Sequence, residues 1–76
     1  MIDPRGPRPA YLQVADIIAA RIEAGELEVD KPIPSEESMR QAYGVARGTV
    51  RRAVEELRER GLVYTVPQRG TYVKGD

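Results

Sequence analysis

The sequence of 76 residues contains no cysteine and no histidine. Without cysteine, no disulfide can staple a small domain. Without either residue type there is no soft ligand set for zinc or an iron–sulfur cluster. The missing imidazole removes the side chain whose ordinary pKa lies nearest neutrality. Ser35, Ser38 and four tyrosines are present, but no histidine, cysteine or clustered carboxylate could activate them, so neither an enzyme nor a bound cofactor or metal is expected. No apolar run approaches the roughly 20 residues that span a bilayer, and the N-terminus lacks a secretory apolar region. The sequence therefore reads as cytoplasmic, with no membrane partner. Its length allows one small domain that buries about 60% of its unfolded surface.

An excess of either charge is also missing: 12 basic residues balance 12 acidic ones. A neutral total argues against a nucleic-acid partner, but the distribution argues for one. Between Asp16 and Glu37 lie seven acids and only Arg21 and Lys31; between Ser38 and Val54 lie four arginines and no acid. One face can thus be basic while another is acidic, and the face is what a polyanion meets.

The chain is organised around residues 34–61, PSEESMRQAYGVARGTVRRAVEELRERG. Ser35 is a suitable N-cap for a short helix, with Glu36 and Glu37 in its first turn and Met39, Ala42 and Tyr43 facing inward. Gly44 ends that helix, and Val45 packs beneath the turn. A second helix follows over 46–60, in which Val50, Ala53, Val54 and Leu57 recur at i, i+3, i+4 and i+7 as one apolar stripe. Arg47, Arg51 and Arg52 fill its first two turns and Glu55, Glu56 and Glu59 come later. That order opposes the helix dipole, which favours acids first and bases last. A local rule broken so consistently marks a functional surface, and cations at a helix start suit an external polyanion such as DNA. The structural alternative pairs Arg51 with Glu55 and Arg52 with Glu56 along the helix, in the weaker base-before-acid order.

Around this unit the chain is simpler. Residues 1–9, MIDPRGPRP, form an expected flexible arm without a packed face, from which Arg5 and Arg8 could reach phosphates. Ala10 to Ala24 is the first helix, with Tyr11, Val14, Ala15, Ile18 and Ile22 in its stripe, Ile17 widening it, and Gly25 as the stop. Asp16 and Glu23 lie on its polar side as scaffold. Ile33, between two prolines, makes at most a short edge strand. After Gly61 the period changes to two: residues 62–66 and 71–73 form a hairpin whose turn carries Gln68 and Arg69. A hairpin placed after such a helix is a wing, and a cationic tip suits a narrow minor groove. The fold class is mainly α with a small β-hairpin, three helices plus a wing.

The strings IPSEE, YGVARGTVRRAVEELRERGLV and RGTYV, in that order and spacing, resemble the DNA-binding domain of the GntR family of bacterial transcription regulators. Weaker similarity, in PAYLQVADIIAARIEAGEL, extends the likeness over residues 9–74. The resemblance implies a winged helix-turn-helix over 10–74, its helix 46–60 in the major groove and its wing 62–74 at the minor groove. It also implies inverted-repeat operators bound by a homodimer, with pairing that can form only on DNA. Repression is expected to follow from occluding a promoter, and activation is the alternative. Arg47, Thr49 and Arg51 fall where the family contacts bases and phosphates, and Ser35 falls near the backbone. Gln68, Arg69, Gly70 and Thr71 fall on the wing. Arg52 and Arg69 are expected to add backbone or minor-groove contacts.

Three positions depart from the family pattern. Ala46 replaces Ser or Thr, which removes a cap worth about 1 kcal/mol. Gly48 replaces a frequent threonine and bares the backbone at the helix start. Glu37 replaces a frequent arginine and is expected to face the groove, accepting from a cytosine amine. Family members also carry a C-terminal effector-binding and dimerising domain. No such domain is expected within these 76 residues, whether the sequence is an excised domain or a short regulator. A winged helix used for protein–protein contact is the alternative function.

Overall fold

The computed structural model describes residues 2–3 and 5–75 of the chain. Three helices, α1 (Ala10–Glu23), α2 (Glu36–Tyr43) and α3 (Arg47–Glu59), precede two strands, β1 (Val63–Val66) and β2 (Gly70–Val73). The strands pair antiparallel, with Val63 opposite Val73 and Thr65 opposite Thr71. Three helices and a hairpin in this order make a winged helix-turn-helix, as the sequence predicts.

The helix boundaries follow from their ends. Ser35 Oγ accepts the Ser38 amide at 3.0 Å and so satisfies one orphan donor at the start of α2. Gly44 closes α2 in the left-handed conformation (φ 63°, ψ 38°), a region that costs residues with a Cβ about 1–2 kcal/mol. Gly61 does the same after α3 at φ 76°, and Leu62 N–H then reaches back to the Leu57 carbonyl at 3.0 Å. Ala46 occupies the N-cap of α3 with no side-chain bond, the lost cap that the sequence foretells.

The core forms where the predicted stripes meet. Val14, Ala15 and Ile18 of α1 and Val50, Ala53 and Leu57 of α3 are fully buried, joined by Met39, Val63 and Val73. Tyr11, Ile17, Ile22, Tyr43, Val45 and Val54 are half-buried against them. Ala42, expected inward, is exposed: α2 is two turns long, and Met39 and Tyr43 cover its contact with the core. Ile33 is buried, and the chain before it makes a single bridge, Pro32 to Tyr72, beside β2.

The arm differs from expectation. Ile2 lies in the core at 9% exposure. The Asp3 amide donates to Gln13 Oε1 at 2.7 Å, while Gln13 Nε2 donates to the carbonyls of Asp3 (2.8 Å) and Arg8 (2.7 Å). The described part of 1–9 is therefore folded back on α1, because one glutamine satisfies three backbone groups. Met1 and Pro4 lie outside the described residues.

Asp16, expected as plain scaffold, joins three segments. Its carboxylate accepts from Arg8 Nε at 2.6 Å and lies 3.0 Å from Arg60 Nη2, whose Nε binds Glu56 at 2.8 Å. The bond from Arg8, then that from Arg60, holds the Asp16 carboxyl below its ordinary value of 3.8, with partial burial opposing. A depressed carboxyl stabilises the fold fully above its unfolded pKa, and the contribution is lost as pH falls through the lower folded value. Asp16→Asn is thus expected to cost about 1 kcal/mol or less at pH 7, as partly exposed pairs do, with the gap to the parent closing below pH ~3.8. Urea midpoints measured from pH 7 downward check this, and a pH-independent gap would contradict it.

Candidate nucleic-acid interface

The basic start of α3 is not left open. Glu36, in the first turn of α2, places one carboxylate oxygen 3.3 Å from Arg47 Nε and the other 3.2 Å from Arg51 Nε. This explains how α3 tolerates cations at its positive end, since the neighbouring helix supplies the anion that the dipole favours. Both arginine side chains remain about 60% exposed. Exposed pairs of this kind contribute roughly 0–1 kcal/mol, so the carboxylate aims the arginines without locking them. The held atoms are the Nε nitrogens. The pairing is across helices; among the described residues Arg51 is not paired with Glu55, and Glu56 is paired with Arg60.

Beside these residues runs a groove of about 580 Å³ between the start of α2, the outward side of α3 and the wing. Ile33, Met39, Val50 and Val54 form its apolar floor, and Arg51, Arg58 and Arg69 provide cations along it. Of the residues singled out in the sequence, Ser35, Arg51, Arg69, Gly70 and Thr71 meet in this groove. Arg47, Gly48 and Thr49 lie in the first turn of α3, Thr49 half-buried and the other two exposed. A Cβ added at Gly48 would meet nothing within 4 Å, so the backbone there is bare and approachable.

The wing turn is built for a projecting tip. Arg69 N–H donates to the Val66 carbonyl at 3.0 Å, Pro67 takes the second turn position, and Gln68 the third at φ 65°. Proline followed by a left-handed residue is the type II pattern, in which glycine is the unstrained choice at Gln68's place. Gln68 and Arg69 are exposed. Tyr64 and Tyr72 stack across the strands, centroids 5.8 Å apart, and the Tyr64 hydroxyl donates to Asp30 at 2.9 Å. That bond raises the Tyr64 phenol above its ordinary value.

Two of the singled-out residues stand apart. The Arg52 guanidinium lies 4.1 Å from the centroid of the Tyr11 ring, against α1, about 100° around the helix from Arg51. Glu37 pairs with Arg40 one turn along α2 and stays exposed. The carboxylate that reaches the arginines is Glu36, which the sequence suggests only as a dipole complement. Arg58, which the sequence reading above does not single out, also lines the groove. The signal was present, since Arg47, Arg51, Glu55 and Arg58 recur at i, i+4, i+8 and i+11 as a polar stripe beside the apolar one.

The family model of gntR-family bacterial regulatory proteins matches residues 10–73. The chain belongs to the GntR family. It is 39% identical over 72 residues to the HTH-type transcriptional repressor NagR of Bacillus subtilis (strain 168), an alignment covering 95% of this chain and 30% of NagR. To the mannosyl-D-glycerate transport/metabolism system repressor MngR of Escherichia coli (strain K12) it is 39% identical over 69 residues, 91% of this chain and 29% of MngR. The chain thus spans about 30% of the length of these GntR relatives. Among solved structures, the DNA-binding domain of AraR in complex with operator ORX1 superposes with a TM-score of 0.86 at 36% identity, covering 96% of this chain and 94% of that one. No helix among the described residues is long and apolar enough to cross a membrane.

Proposed function

We propose that this GntR chain binds double-stranded DNA sequence-specifically and represses transcription by occluding a promoter. The observation that carries the reading is the pair Arg47 and Arg51, held side by side on the outward face of α3 by Glu36 and sharing one flank of the domain with the wing's Arg69. A helix bearing two such arginines fits the major groove, where Nη pairs read guanine O6 and N7. Support comes from NagR and MngR, both named repressors, and from the AraR domain bound to its operator.

In this reading Thr49 and the bare backbone at Gly48 approach bases and phosphates at the start of α3. Ser35 lies at the DNA backbone. Gln68, Arg69, Gly70 and Thr71 meet the minor groove. Arg52, braced on Tyr11, serves the flanking phosphates, and Glu37 sits at the edge of the surface. Two copies bind an inverted repeat, because one domain of this size covers too little DNA for high specificity.

Selection from random duplexes followed by a salt titration tests the proposal. An inverted repeat is expected, with log affinity falling linearly in log salt at a slope set by about four to six phosphate contacts per copy. A salt-insensitive complex would remove the DNA reading, and a one-to-one complex on a non-palindromic site would remove the dimer.

A further inference from the structure

The wing is held at its base by the core and at its middle by something else. Val63 and Val73, opposite each other at the base, are buried. Two residues further out, Thr65 faces Thr71, and their hydroxyl oxygens lie 3.1 Å apart. Arg58, in the last turn of α3, donates from Nη1 to Thr65 Oγ1 at 2.8 Å. Since Thr65 accepts from Arg58, its own proton can point at Thr71. On the other side, the Ile33 amide donates to the Thr71 carbonyl at 3.0 Å, two residues before the cap of α2. Beyond this rung the hairpin has only the Val66–Gly70 pair and the turn that carries Arg69.

We propose that Arg58 is a positioning residue, which fixes the wing to the outward side of α3 through Thr65 and Thr71 and so sets where Arg69 can reach. A two-stranded hairpin has little independent stability, and its buried base is the pivot about which an untied tip would swing. The tie falls one rung short of the tip, beyond the buried base, where a side-chain bond limits that swing. The same three-residue path connects the helix carrying Arg47 and Arg51 with the hairpin whose turn carries Arg69. The distance between the two arginine groups is therefore set before any DNA arrives, and preorganisation of this kind appears as affinity. The consequence for DNA rests on the duplex-binding reading above; the tie itself does not.

Thr65→Val is the decisive variant, because it keeps charge and shape, suits a strand, and deletes the hydroxyl that joins the path. In the free 76-residue chain, amide residual dipolar couplings of residues 64–66 and 68–72 should fit the alignment of α1–α3 in the parent and depart from it in Thr65→Val. On the selected duplex, Thr65→Val and Arg58→Met should each weaken binding roughly three- to tenfold in the parent, and neither should weaken it further once Arg69→Ala is present. Unchanged couplings, or losses that multiply with that of Arg69→Ala, overturn the proposal. If the parent chain binds no duplex, the DNA reading falls, and the couplings alone still decide whether Arg58 positions the wing.

Discussion

Arg51→Ala is expected to weaken binding to the selected duplex by about 1–3 kcal/mol and to relax preference at one base position in each half-site. Arg51 is the arginine that touches both features of the surface, the Glu36 carboxylate at 3.2 Å and the groove that runs to the wing. A guanidinium aimed in this way loses little freedom on meeting a guanine edge, so its removal costs discrimination as well as charge. Arg69→Ala provides the contrast. The wing tip lies at the end of a projecting turn, and in the proposed reading it meets DNA through the narrow groove, so its loss should weaken all duplexes alike. Repeating the selection with each variant separates the two. Equal, sequence-independent losses would make Arg51 a phosphate clamp and move base reading to another residue of the first turn.

Leu57→Ala is expected to cost about 2–5 kcal/mol of folding stability, the range for a fully buried leucine that leaves a cavity. At roughly 0.05–0.15 kcal/mol per residue, a domain of this size has only about 4–11 kcal/mol in total, so the variant should be substantially unfolded at moderate urea. Leu57 is completely buried at the meeting of α1, α3 and the hairpin, and its carbonyl also receives the Leu62 amide that turns the chain into β1. The comparison is Val29→Ala. That valine is 55% exposed, and its loss should shift stability by no more than about 0.5 kcal/mol. Urea midpoints for the two variants measure the difference; similar midpoints would mean that the core relaxes around the cavity.

The local grammar of this chain was legible in residues alone. Glycines at 44 and 61, the Ser35 cap, the 3.6-residue stripe in α3 and the change to period two after Gly61 each concern neighbours in sequence, where backbone sterics and short-range bonds decide. The buried faces of α1 and α3 followed from the same periodicity. Pairings across elements did not. Glu36 and Glu37 are adjacent glutamates in one helical turn, with the same propensity and the same dipole argument. Only the packing of α2 on α3 turns Glu36 towards Arg47 and Arg51 and leaves Glu37 to Arg40. Arg51 and Arg52 are likewise alike in sequence, yet the 100° step between them sends one to the groove and the other onto Tyr11. Sequence determined which residues could carry charge to a surface. Tertiary structure decided which charges meet, because a side-chain ion pair depends on a few ångströms between elements that no local rule specifies.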